Sequence, residues 1–252
     1  MKTRKILFFC FICLNISIIT GKTSQIPVAP DLGESILKKI VSQTKNNEIL
    51  KRKFLSYKRT YARYDLDENG QTMDRKRKEI TSIALGGNEE IIEINDKPTK
   101  KGKSGSPRFN LMSLLETMLK LDDFTIVKID KIDKIDDEYF YVISFKPKTT
   151  IKPSGDIEDI VACVEGTIYV DFEKFYIKKL SAWMVKPYSR GGIFGWNIFN
   201  LTKADIELTQ EELNGIIVIK SIELIDKYSL FGRETSEKQT YLYEEYRQAE
   251  PN

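Results

Sequence analysis

The sequence contains no histidine. That removes the usual general base near neutral pH and the commonest neutral metal ligand. A Ser-His-Asp or Cys-His centre is therefore impossible, as is a His-rich zinc site. Cysteine is scarce: of the three present, Cys10 and Cys13 fall in the N-terminal leader, which leaves Cys163. A lone cysteine forms no intramolecular bridge, so packing must supply the stability, and its apolar neighbours predict a small buried hydrophobe. Neither sign of charge is in excess. Lysine plus arginine is 40 and aspartate plus glutamate is 37, a net charge of +3, too weak by itself to imply a nucleic-acid or anionic-membrane partner.

The longest apolar run is also short of the roughly 20 residues of a spanning helix. It extends from Ile6 to Ile19 behind Lys2, Arg4 and Lys5, the basic and apolar regions of a secretory signal. Residues 1–21 are read as that signal, with cleavage near Gly21; an uncleaved inner-membrane anchor is the alternative. Lipidation is rejected, because bulky Phe8-Phe9 and Phe11-Ile12 precede Cys10 and Cys13. The expected mature chain is exported and has no transmembrane segment.

What is present suffices for one large domain. The 252 residues are 41% hydrophobic and 31% charged, a composition that can fill a core. Residues 22–30, with Pro27 and Pro30, read as a linker, and 31–248 as a single domain. Asp31 opens a helix with Glu34 in capping-box position, and Leu32, Ile36, Leu37, Ile40 and Val41 recur at helical spacing. A second helix follows Asn110, with Leu111, Leu114, Leu115, Met118 and Leu119 on one stripe.

Nearly everything else reads as strands joined by short turns. Phe54 to Asp67 turns through Asp67-Glu68-Asn69-Gly70 and returns from Thr72 to Ala84. Ile91 to Ile94 ends at Asn95-Asp96, and 97–108 reads as an exposed loop. Phe124 to Ile129 pairs with Tyr139 to Phe145. Asp159 to Val170 pairs with Phe175 to Val185, and Lys203 to Thr209 with Gly215 to Asp226 through Asn214-Gly215. Tyr241 to Tyr246 closes the series. Strands without intervening helices predict antiparallel meanders. Tyr139 to Phe145 is apolar on both alternating faces, so both must be covered, whereas Asp205-Ile206-Glu207-Leu208 alternates as where one face meets water.

Catalytic and metal motifs fail on inspection. Asp65, Asp67, Asn69 and Gly70 mimic the start of a calcium loop, but the twelfth position is Lys76 where a bidentate glutamate is needed. Gly21-Lys22-Thr23 and Gly102-Lys103-Ser104 lack the earlier glycine of a phosphate loop. A histidine-free hydrolase would need two carboxylates facing across a cleft, and no spacing singles out such a pair. The stretch from Tyr188 to Asn200 is distinctive: Gly191, Gly192 and Gly195 interleave with Ile193, Phe194, Trp196, Ile198 and Phe199. It reads either as the flap of an apolar cavity or as a connection burying its aromatics against the sheet.

Three segments carry a family likeness: the hairpin from Val164 to Leu180, the strand from Tyr139 to Pro147, and the terminal strand from Tyr241 to Arg247. Over most of residues 33–248 the chain resembles the periplasmic outer-membrane lipoprotein-sorting proteins, the LolA-like and LolB-like group, especially their larger members. The resemblance implies a mainly β, α+β fold: a strongly curved antiparallel half-barrel with a few helices on its concave face. It implies a periplasmic, non-catalytic carrier or sensor that takes an acyl chain or lipoprotein in an apolar cavity, with no cofactor and no metal. The candidate ligand-binding residues are Ile193, Phe194, Trp196, Phe199, Trp183 and Tyr141. The alternative is an envelope protein-interaction or stress-regulatory module of the same fold without lipid cargo.

Overall fold

The computed structural model describes residues 32–99, 111–120, 125–135, 137–147, 160, 162–191 and 197–249. The leader, the linker, the Asp31–Glu34 cap and the loop residues 192–196 lie outside the described residues. In chain order the elements are α1 (Leu32–Phe54), β1 (Leu55–Leu66), β2 (Thr72–Ile83), a 3-10 turn (Leu85–Gly87), β3 (Glu89–Ile94), β4 (Lys97–Pro98) and α2 (Leu111–Lys120). There follow β5 (Thr125–Ile135), β6 (Glu138–Pro147), β7 (Val164–Asp171), β8 (Ile177–Met184), β9 (Tyr188–Gly191), β10 (Asn197–Leu213), β11 (Ile216–Leu230) and β12 (Arg233–Gln248).

All pairings are antiparallel. The strands make one open 12-stranded sheet in the order β4-β3-β2-β1-β12-β11-β10-β8-β7-β6-β5, with β9 paired to β10. The architecture is a curved half-barrel with two helices on its inner face, as the sequence implied. Within this open sheet β12 returns to pair with β1, so the N- and C-terminal parts share one hydrogen-bonded seam.

Alternation decides the two faces. Following the register, the ladder Ile129–Ile143–Ile168–Leu180–Leu208–Ile222–Tyr241–Tyr61 runs unbroken under the helices. These side chains, with Ile36, Leu37 and Ile40 of α1 and Leu111 and Leu115 of α2, form the main core. One residue along, the outward ladder reads Lys128–Ser144–Thr167–Ser181–Glu207–Glu223–Thr240. Period-2 patterning thus puts a row of apolar groups on helices and the adjacent polar row in water. Outward pairs such as Lys179–Glu207 at 3.3 Å and Lys238–Glu223 at 2.8 Å decorate that side and contribute little each. Phe140 and Val142, on the outward side of β6, are nonetheless buried, so the strand that is apolar on both faces is covered on both.

The first helix is a strut across the sheet. Its 23 residues give a length of about 34 Å, close to the ~34 Å of the seven strand steps from β1 to β5. At its start the backbone of Gly33 lies so near β5 that an added Cβ would sit 3.1 Å from the Val127 carbonyl oxygen. Towards its end the buried Asn47 side chain accepts from the Ile217 N–H (2.7 Å) and donates to the Ile217 carbonyl. It thereby satisfies both backbone groups of one β11 residue and fixes how far the helix advances.

Several elements differ from expectation. Phe54 ends α1, so the first strand starts one residue later. Lys97-Pro98 is not loop but a two-residue strand on β3. β7 begins at Val164, because Ala162-Cys163 is a turn in which the Cys163 N–H donates to Ile160 O at 2.9 Å. Cys163 is buried and forms no disulfide. β10, β11 and β12 all run well beyond the predicted spans, and β11 joins β12 by a tight turn at Phe231-Gly232 with φ of 50° and 79°.

Candidate functional site

One row further along the inner face the chemistry changes strand by strand. The ladder Val127–Phe145–Gly166–Ala182–Ile206–Leu224 is apolar from β5 to β11, then continues as Gln239–Arg63–Arg77 on β12, β1 and β2. The next row is Ala204–Asp226–Glu237–Asp65. In the earlier ladder the register neighbour of Tyr61 is Glu79, which is fully buried and takes a hydrogen bond from Arg77 at 2.7 Å. One half of the inner face is thus hydrocarbon and the other carries charge.

The charged half is wired together. Gln239 Nε2 donates to Asp226 Oδ2 (3.2 Å) and Glu237 Oε1 (2.9 Å), and the Tyr61 hydroxyl donates to Gln239 Oε1 (3.3 Å). Arg63 Nε lies 3.9 Å from Glu237 Oε2, too long for a hydrogen bond. Arg63 Nε and Asp226 Oδ1 are both buried without a hydrogen-bond partner, which marks a cluster under electrostatic tension. Burial, and then the Glu237 charge directly opposite, push the Asp226 carboxyl up to about 7, against the weaker pull of Gln239 and Arg63. Burial likewise raises Glu237 despite Arg63. This pair stands side by side on neighbouring strands, not across a cleft as a carboxylate hydrolase requires.

Beside the cluster, where the inner face reaches the ends of β1, β11 and β12, lies a cavity of about 590 Å³. Its lining is mixed: Arg63, Asp65, Lys76, Arg233, Glu234 and Glu237 are charged, Thr235 and Ser236 are polar, and Leu66, Met73, Tyr228 and Leu230 supply the apolar contact. Its size falls within the roughly 300–1,000 Å³ usual for small-molecule sites. Lys76, which stands where a calcium loop would need glutamate, reaches back to Asp65 at 2.9 Å. The turn below is an ordinary hairpin turn, with Asp67 Oδ1 accepting from the Asn69 and Gln71 N–H groups. Among the described residues no group of His, Cys, Asp and Glu is placed to hold a metal ion.

The candidate residues from the sequence are dispersed. Phe199, at the far end of β10, packs between Tyr188 (ring centroids 6.3 Å) and Tyr228 (5.9 Å). It thus contacts Tyr228, a residue of the cavity lining, without belonging to that lining itself. Tyr141 is on the inner face but at the opposite end, stacked on Phe172 at 4.7 Å and near Phe175 at 6.2 Å. Trp183 alternates with Ala182 and points outward, its Nε1 donating to Glu165 at 2.9 Å. It is not part of an inner-face site with the other two. Ile193, Phe194 and Trp196 lie outside the described residues; Gly191 and Asn197, which bound them, are paired in the β9–β10 hairpin. The sequence reading missed Arg63, Asp65, Glu237, Tyr228 and Leu230. Only register brings them together, and register is not visible in any one segment.

No family profile matches the chain, and no curated protein matches it. Among solved structures it is similar to a domain assigned to outer membrane lipoprotein sorting from Vibrio parahaemolyticus. The TM-score there is 0.36 at 7% identity, over 85% of this chain and 94% of that one. It is also similar to a LolA superfamily protein from Nitrosomonas europaea (TM-score 0.33, 13% identity, 87% and 94%). A third is the Pseudomonas aeruginosa MucA/MucB complex (0.26, 7%, 86% and 98%). At such scores the functional reading rests on the inner face of this chain itself. No helix among the described residues is long and apolar enough to cross a membrane.

Proposed function

We propose that the chain is an exported, non-catalytic carrier or sensor that holds an amphiphile on the inner face of its half-barrel. The observation that carries this reading is the cavity whose lining mixes apolar with charged side chains, beside the charged rows of the inner face. An acyl chain would lie against Leu66, Met73, Tyr228 and Leu230. Its polar end would meet Arg63, Lys76 and the carboxylates opposite. Such a site binds by apolar contact and a few placed charges, and needs neither cofactor nor covalent step.

Native mass spectrometry of protein exported to the periplasm tests this directly. The expected spectrum contains a lipid-sized adduct that delipidation removes. A ligand-free protein that does not respond to fatty-acyl probes would overturn the proposal. A protein partner retained after delipidation would favour the interaction-module reading instead.

A further inference from the structure

Three two-residue hairpin turns in this chain share one backbone geometry. Asn95-Asp96 has φ of 47° and 62°, Asn214-Gly215 has 50° and 83°, and Phe231-Gly232 has 50° and 79°. Asparagine and glycine are the residues this turn favours, because both tolerate positive φ. Phenylalanine does not, and a bulky side chain there is a genuine outlier. The molecule has another phenylalanine at positive φ, Phe175 at 55°, and its placement explains itself. That ring lies close to Tyr141 and carries Lys39 Nζ 4.4 Å from its centroid.

Among the described residues Phe231 has no such ring or cation contact. It is 77% exposed, and its neighbour Leu230 is 46% exposed. The Phe231 N–H donates to Ile198 O at 2.9 Å, which fixes the turn against β10 and holds the ring out. The residue thus bears both a conformational and a hydration penalty, with no compensating contact among the described residues. Leu230 and Arg233, on either side of the turn, line the 590 Å³ cavity, together with the exposed Met73 of the neighbouring hairpin. The charges around this rim are mostly matched: Lys76 with Asp65, and Lys227 with Glu234 at 3.6 Å. Arg233, two residues from Phe231, makes no ion pair among the described residues.

We infer that the β11–β12 tip is a membrane-contacting element: Phe231, with Leu230 and Met73, dips into a bilayer surface while Arg233 meets a lipid phosphate. Aromatic and aliphatic groups beside an unmatched cation suit the interface between headgroups and acyl chains. Three protruding side chains fall far short of the roughly 800 Å² per partner that a stable protein interface buries. They suffice for a weak, reversible contact with a bilayer, which needs no matching surface. The inference deepens the amphiphile reading by placing the cavity mouth at the bilayer. Its test is nevertheless separate, because vesicle binding and probe loading are measured independently.

The experiment is vesicle flotation with the exported protein. One set of vesicles is mixed phosphatidylethanolamine and phosphatidylglycerol, the other phosphatidylcholine alone. Wild type is expected to float with the anionic vesicles and less with the neutral ones. Phe231→Asn should weaken that binding by about tenfold or more, the scale of losing one buried aromatic side chain. Its melting temperature should stay level or rise, since asparagine suits the turn, so lost binding cannot be put down to misfolding. Acyl-probe loading in solution should be unchanged in the variant. The inference is overturned if wild type ignores both vesicle types, or if Phe231→Asn floats as well as wild type. Tip-dependent self-association or capture of a protein without vesicle binding overturns it equally.

Discussion

The inner face of this sheet has two halves built to opposite rules. From β5 through β8 to β10 its rows are Ile, Leu, Val, Phe and Ala, and they close on the two helices. On β12, β1 and β2 the first row continues through Tyr241 and Tyr61 to Glu79, and the rows beside it become Gln239, Arg63, Arg77, Glu237 and Asp65. A core cannot be made from the second half, because buried charges need partners that a close-packed helix does not supply. The difference separates the two halves: stability is concentrated in the hydrocarbon half, while the charged half leaves orphaned polar groups beside a cavity, where the proposed binding would take place.

That division can be broken from the hydrocarbon side first. Ile168 is fully buried at the centre of the first ladder, so Ile168→Ala should lower unfolding free energy by about 2–5 kcal/mol. Urea titration checks it, and a loss under about 1 kcal/mol would mean that the helices do not depend on this row. Gly166 offers a second, smaller test. An added Cβ would sit 2.7 Å from the Phe145 ring and 2.4 Å from the Ser181 carbonyl oxygen. Gly166→Ala should therefore cost about 1–3 kcal/mol through overpacking, although alanine is otherwise the milder residue in a strand.

The charged half predicts a pH response. The folded-state pKa of Asp226 is about 7 against an ordinary 3.8, so the folded protein keeps a proton that the unfolded chain releases. Its stability should fall as pH rises through the window from 3.8 to about 7 and stay lowered above it. The raised Glu237 acts in the same direction. Asp226→Asn should flatten that slope and raise the melting temperature at pH above about 7. Thermal melts across this range would contradict the account if the variant kept the wild-type slope. The smallest effect is expected at the exposed pair Lys76–Asp65: Lys76→Gln should leave the melting temperature close to that of wild type.

The hydrocarbon half was readable in the sequence for the same physical reason that it is stable. Alternating apolar residues in Ile129, Ile143, Ile168, Leu180 and Leu208 announce both strand and face, and the helical stripes of α1 and α2 announce what covers them. The charged half hides because its inward residues are polar. Thr235, Glu237 and Gln239 erase the period-2 signal from the first half of β12, so only the Tyr241–Tyr246 end was recognised. The Phe231-Gly232 turn was missed because phenylalanine is not a turn residue. Aromatic residues marked the Tyr188–Asn200 stretch, and Phe199 packs on Tyr228, one of the residues lining the cavity. Trp183 was misplaced by one step of alternation, which puts it on the outer face.

The most direct test of the central claim is titration of the exported protein with a fluorescent fatty acid, cis-parinaric acid, in three forms. Leu230→Asp alters an apolar side chain of the cavity lining at a part-exposed position, and Trp183→Asp alters the outer face. The account predicts saturable binding to wild type, binding about tenfold weaker or worse with Leu230→Asp, and wild-type binding with Trp183→Asp. Absence of saturable binding to wild type, or loss with Trp183→Asp but not Leu230→Asp, would contradict it.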